Sequence, residues 1–193
     1  MQTRGYLPYK HNLRNMKIDK KLTKNILDWI LNNYNTNLFI TPNHHGKGIV
    51  RGCPKVDTMD TLLYKQNFPF NDIIELEKSI IKHYNLNYPL RDAEYGIFLS
   101  YSTEGHKVHL HVDPAAEGDF TLVRFNFLVS KPEEGGNPII NNKVIEVEED
   151  EIWICEASRY YHTTDEVKGD KPRIMISFGY NIPNAELIKI NKQ

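Results

Sequence analysis

The stretch LVRFNFLVS, residues 122–130, decides the fold. In an extended chain Phe125, Phe127 and Val129 fall on one face, and Arg124 and Asn126 on the other. The apolar face belongs in a core. Arg124 and Asn126 either look into a polar interior or make structural hydrogen bonds, and the alternation alone leaves both open.

Outward from this stretch the same period continues. From residue 95 on, short strand candidates fall at residues 96–102, 107–112, 122–130, 144–147, 151–155, 160–163 and 174–181. Turn-forming residues separate them, notably KPEEGGNP (131–138) and INNK (140–143). Many short strands with such turns indicate a sandwich or barrel. Upstream, Leu22, Ile26, Trp29, Ile30 and Leu31 predict a helix over 21–34. Ile73, Leu76, Ile80 and Tyr84 predict a second, with Asp72 and Glu75 resembling a capping box at its start. Residues 41–70 lack a clear period and read as loops with short strands. No linker divides the chain. The expectation is one domain over 1–193, with a helical and loop region (1–94) packed on a mainly β core (95–182).

The 193 residues suffice for a well-buried core. A formal net charge of -1 gives no overall field to attract nucleic acid or an acidic membrane. The basic residues between Lys17 and Lys24 read as a solvated helix face. Cys53 and Cys155 form no CxxC pair, which argues against a disulfide framework or zinc ribbon. No stretch approaches the roughly eighteen apolar residues of a membrane span. These features predict a cytoplasmic protein.

The chemistry concentrates in GHKVHLHVDP, residues 105–114. As a strand it would place His109, His111 and Asp113 on one face and Val108, Leu110 and Val112 on the other. Two imidazoles and a carboxylate are costly to bury without partners, and a cation offsets that cost. His162, near the end of the later strand candidate 160–163, could complete a two-histidine, one-carboxylate set with His111 and Asp113, which suits non-haem Fe(II). Eleven residues on, Arg173 opens an apolar strand and calls for an anionic partner. Lys171 competes for that role.

His111-Val-Asp113, His162 and Arg173 in this order resemble the signature of the iron(II)- and 2-oxoglutarate-dependent oxygenases. The prolyl-hydroxylase-like branch is resembled further by Tyr101 ahead of the HxD pair, by RFNFLVSKPEEGGNPII (124–140) and by VKGDKPRIMISF (167–178). The likeness covers residues 95–182. It implies a double-stranded β-helix (jelly-roll) core. Fe(II) is then expected on His111, Asp113 and His162, with 2-oxoglutarate anchored by Arg173 and Tyr101. Arg124 and Asn126 are expected near the co-substrate or substrate. O2 is the oxidant, ascorbate is an expected stimulant, and 2-oxoglutarate leaves as succinate. The substrate implied is a peptide or protein side chain, proline first, or an amino-acid-like small molecule. Where some family members carry a serine two residues after the arginine, this chain has Met175, and Ser177 is two further on.

Around the ligands, His109 is expected to line the pocket or support a ligand, one of Tyr160 and Tyr161 to line it, and Trp153 to lie in the core. His44, His45 and His106 are expected at the surface. A rival reading is a cupin-like enzyme using His109, His111 and His162. Such a site wants a glutamate four or five residues after His111, where Ala115 and Ala116 stand, and it leaves Arg173 without a role. A barrel that binds a ligand without iron is the other alternative; three intact metal donors argue against it.

Overall fold

The computed structural model describes residues 18, 20–36, 38, 50–53, 67–87, 89–93, 96–114 and 117–190. Its elements run α1 (Lys20–Asn33), β1 (Val50–Cys53), α2 (Phe70–His83), β2 (Leu90–Arg91), β3 (Ile97–Ser102), β4 (Phe120–Ser130), β5 (Pro138–Ile140), β6 (Lys143–Val144), β7 (Ile152–Glu156), β8 (His162–Thr164), β9 (Arg173–Pro183) and α3 (Asn184–Ile190). The larger sheet has the order β1-β3-β9-β4-β7, with β2 also paired to β9. The smaller has the order β6-β5-β8. All pairings are antiparallel.

The alternation in β4 sorts its side chains as expected. Phe125 and Phe127 are fully buried with Ile176 and Phe178 of β9, against Ile26 and Ile30 of α1 and Leu76 and Ile80 of α2. The apolar stripes of both helices thus cover one face of the larger sheet. The opposite face carries Leu122, Leu128, Trp153 and Cys155, which pack with Ile140, Ile145 and Val147 from the β5–β7 region. Cys155 is a free, buried thiol. Buried Glu77 ties α2 to the sheet: it accepts from Tyr180 Oη at 2.6 Å and pairs with Arg91 of β2. Among the described residues no helix is long and apolar enough to cross a membrane.

Three expectations are corrected. The capping box does not form: α2 starts one turn earlier, with Pro69 as N-cap and no side-chain cap. Asp72 instead accepts a bond from Asn25 of α1 at 3.0 Å. Of the candidate at 144–147 only Val144 is in a strand, as the second residue of β6. Residues 107–112 form no strand beyond the single bridge His111–His162. That segment still runs beside β8, but hydroxyls replace ladder partners. Val108 N donates to Thr164 Oγ1 at 2.9 Å, and Thr163 Oγ1 donates to the Val108 carbonyl. The two threonines occupy bonds that a regular ladder would need. β5 and α3 escape sequence reading. β5 is three residues between two turns, and α3 follows the last apolar run directly.

Candidate metal centre

Two backbone bonds bring the donors together. His111 N donates to the His162 carbonyl at 3.1 Å, and His162 N donates to the His111 carbonyl at 2.9 Å. This puts the imidazoles side by side, with ring centroids 4.2 Å apart. Asp113 N donates to the Ala157 carbonyl at 2.9 Å, which fixes the carboxylate beside them. Asp113 Oδ1 lies 3.3 Å from His111 Nε2 and 3.9 Å from His162 Nε2. One donor atom from each of the three residues falls within 4.8 Å of the others. His109 is not part of this group, which removes the third imidazole of the cupin-like reading. Its carbonyl serves instead, as described next.

The hydrogen bonds select the tautomers. His111 Nδ1 lies 2.7 Å from the His109 carbonyl, and His162 Nδ1 lies 3.1 Å from the Tyr160 carbonyl. A carbonyl only accepts, so each Nδ1 carries a proton and Nε2 is the nitrogen left to face a metal. That is the arrangement a metal-binding histidine needs. Burial works against the Asp113 carboxylate, but the His111 bond and the Arg124 guanidinium outweigh it and hold the group at about 2. The bond to Asp113 raises His111 and favours a proton on its Nε2 that a bound cation would displace, whereas burial lowers His162. With that proton displaced, two imidazole nitrogens and one anionic oxygen fit a divalent first-row ion.

Arg124 makes the structural hydrogen bonds that were one of its two readings: its Nε donates to Asp113 Oδ2 at 2.7 Å. Its Nη2 donates to Asp92 Oδ2 at 3.1 Å. Asn126 is buried on the same face, opposite Ser177 of β9, and its amide makes one long contact of 3.5 Å to the Arg124 carbonyl. The Ser177 hydroxyl is buried with no partner among the described residues.

Arg173 and Lys171 separate cleanly. Lys171 lies at the surface and pairs with Glu149. Arg173 is 3% exposed. Its Nε donates to the Gly136 carbonyl at 2.8 Å, and its guanidinium carbon sits 5.5 Å from the Trp153 ring centroid. Among the described residues it makes no ion pair. Burial lowers it to about 10, so it stays charged at neutral pH. A buried cation without an anion is costly. It borders a pocket lined also by Leu128, Pro132, Gly136, Val147 and Trp153. Gly135 and Gly136 shape this wall with φ of +72° and +69°. A Cβ on Gly136 would stand 2.9 Å from Arg173 Cδ and 3.0 Å from Pro132 Cγ. Gly136→Ala therefore strains the turn and pushes the Arg173 stem. A stability loss of about 1–3 kcal/mol is expected in urea unfolding.

Other expectations fall differently. Tyr101 pairs with Ile174 in the ladder, on the helix side of the sheet, and stacks on Tyr34 with centroids 4.3 Å apart. Arg173 is opposite Ser102, so Tyr101 and Arg173 lie on different faces. Distance in sequence from the HxD pair does not set the face; the register does. His106 is buried rather than exposed, at 2%. Trp153 is buried as expected, beneath Arg173. Tyr160 is partly buried against the core, while Tyr161 is 64% exposed. His44 and His45 lie outside the described residues. Asp92, Ser102 and Gly179 are the site neighbours that sequence reading missed, whereas Gly136 lies in the KPEEGGNP turn it had marked.

No protein-family model matches the sequence, and no curated protein matches it. Solved structures do share its fold. HygX from Streptomyces hygroscopicus, with nickel and 2-oxoglutarate bound, superposes with a TM-score of 0.60 at 12% identity, over 87% of this chain and 80% of that one. A prolyl hydroxylase from Trichoplax adhaerens, in complex with a peptide fragment of the hypoxia inducible factor oxygen degradation domain, gives 0.60 at 13%, over 93% and 86%. A prolyl-4-hydroxylase from Pseudomonas putida gives 0.54 at 9%, over 91% and 92%. The fold is thus the double-stranded β-helix, with N-terminal helices packed on its larger sheet.

Proposed function

We propose that this chain is an Fe(II)- and 2-oxoglutarate-dependent oxygenase that hydroxylates an unactivated C–H bond. The observation that carries the reading is the convergence of His111 Nε2, His162 Nε2 and Asp113 Oδ1, with both Nδ1 protons already committed to carbonyls. The fold shared with a nickel- and 2-oxoglutarate-bound HygX and with two prolyl hydroxylases supports it. Bound here, the metal and 2-oxoglutarate would supply, with O2, the oxidising power that C–H hydroxylation demands.

The chain's own residues then have distinct tasks. His111, Asp113 and His162 ligate. Arg173, desolvated and in no ion pair among the described residues, receives the far carboxylate of 2-oxoglutarate as a charge-assisted pair. Asn126 and Ser177 lie on the same face and offer polar contacts that the protein does not use up. Trp153 and Leu128 help to keep water away from the anchored carboxylate. The substrate we favour is a peptide or protein side chain, proline first. The peptide-bound Trichoplax hydroxylase supports that choice. An amino-acid-like small molecule is the second choice. Residues 41–70, which lie mostly outside the described residues, are the segment we assign to substrate binding.

The test is an anaerobic titration of the metal-free protein with Fe(II) and then 2-oxoglutarate, following the weak visible charge-transfer band of an iron–2-oxo-acid chelate. A saturable band is expected, followed by succinate release with candidate peptides. Tight metal binding with no band would overturn the 2-oxoglutarate part of the reading.

A further inference from the structure

Asp113 uses its two oxygens differently. Oδ1 faces the two Nε2 atoms, whereas Oδ2 is held by Arg124 Nε at 2.7 Å. Arg124 is itself fixed from three sides. Its Nη2 donates to Asp92 Oδ2 at 3.1 Å. Its guanidinium carbon lies 5.5 Å from the Phe98 ring centroid. Gly179 stands opposite Arg124 in the β4–β9 ladder, and a Cβ there would come within 2.7 Å of Arg124 Nη1 and 3.2 Å of Asp92 Cβ. The guanidinium therefore occupies the space that a side chain at 179 would need. Asp92 is anchored in turn, because its N–H donates to the Gly179 carbonyl at 2.9 Å and β2 before it pairs with β9.

The charges make the arrangement more than a brace. Arg124 alone would cancel Asp113 and weaken the anionic donor. With Asp92 included, the three side chains together keep a net charge of one negative unit. We propose that Asp92, Arg124 and Gly179 form a positioning unit that holds back Oδ2 and presents Oδ1 alone to a bound metal, while Asp92 preserves the donor's charge. This rests on the metal reading above. None of the three is a catalytic residue; all act through Asp113.

Cobalt(II) is the probe, since its visible d–d band reports coordination at the site independently of turnover. Affinity and the band at saturating Co(II) are measured for the full chain, for Gly179→Ala and for Asp92→Asn, with His111→Ala as reference. Thermal unfolding is followed alongside. Losing an outer partner of a metal ligand costs roughly 10–100-fold in affinity. Both variants are expected to weaken Co(II) binding by that much, and Gly179→Ala to shift the saturated band. Wild-type affinity and band in both variants would sink the proposal, even if the unfolding temperature fell, because a merely structural role predicts that result. Should Gly179→Ala not fold, the isosteric Asp92→Asn decides by the same criteria. A wild-type band that survives His111→Ala, or the absence of any wild-type band, overturns the metal reading itself and this unit with it.

Discussion

Asp113→Ala is expected to remove Fe(II) binding and, with it, the proposed turnover. Of the three converging donors, Asp113 supplies the sole negative charge. Two neutral imidazoles then remain, with centroids 4.2 Å apart and no anion between them. Loss of an outer partner of a metal ligand costs roughly 10–100-fold in affinity, so loss of the ligand itself should exceed about 100-fold. The substitution also leaves Arg124 Nε without its partner in a buried setting. Some destabilisation accompanies it, of the order of a few kcal/mol for a cation stripped of one of two carboxylates. Isothermal titration with Fe(II) under argon, paired with circular dichroism, separates the two effects. A folded variant that still takes up one equivalent of Fe(II) with wild-type affinity would remove Asp113 from the ligand set.

The cluster of His111, Asp113 and His162 was legible in the sequence because its chemistry is local. His111 and Asp113 are two residues apart, and their side chains converge even though the segment forms no regular strand. What the reading could not supply was the reason the segment holds. Thr163 and Thr164 replace ladder bonds with hydroxyl bonds, and nothing in their spacing announces that. The alternation in LVRFNFLVS put Arg124 on the face opposite Phe125 and Phe127, but left its role open. Its partner Asp92 was not, since it lies 32 residues away, just after a two-residue strand too short for any period. Tyr101 shows the converse failure. Its position ahead of the HxD pair suggested a role at the co-substrate, but the register Tyr101–Ile174 turns it to the helix side. A one-residue difference in register reverses the face of every side chain in a strand. Sequence spacing carries no information at that resolution. α2 makes the same point for helices: the apolar stripe was correct, while the start was set by Pro69 rather than by the acidic pair that resembled a cap.

Arg173→Leu should leave Fe(II) binding intact and weaken 2-oxoglutarate binding severely. Arg173 is buried on the inward face of β9, where its Nε is held by the Gly136 carbonyl and its guanidinium lies near Trp153. These contacts orient the fork but do not neutralise it. Burial lowers the group to about 10, and the nearby Asp165 carboxylate opposes that shift. The guanidinium is therefore charged at neutral pH, and on the proposed reading it takes an external anion. Removing one partner of a buried charge-assisted pair costs about 2–5 kcal/mol. At about 1.4 kcal/mol per decade, the dissociation constant for 2-oxoglutarate rises by a factor of roughly 30 or more. Leucine keeps the apolar wall beside Trp153, so packing changes little. Lys171→Ala is the informative companion: Lys171 is exposed and paired with Glu149, and its loss should leave 2-oxoglutarate affinity where it was. Both affinities follow from the charge-transfer band at saturating Fe(II). A large loss with Lys171→Ala and none with Arg173→Leu would reverse the assignment of the anchor. Equal, small effects from both would mean that the co-substrate carboxylate is held elsewhere, and Ser102, opposite Arg173 in the ladder, would be the next residue to replace.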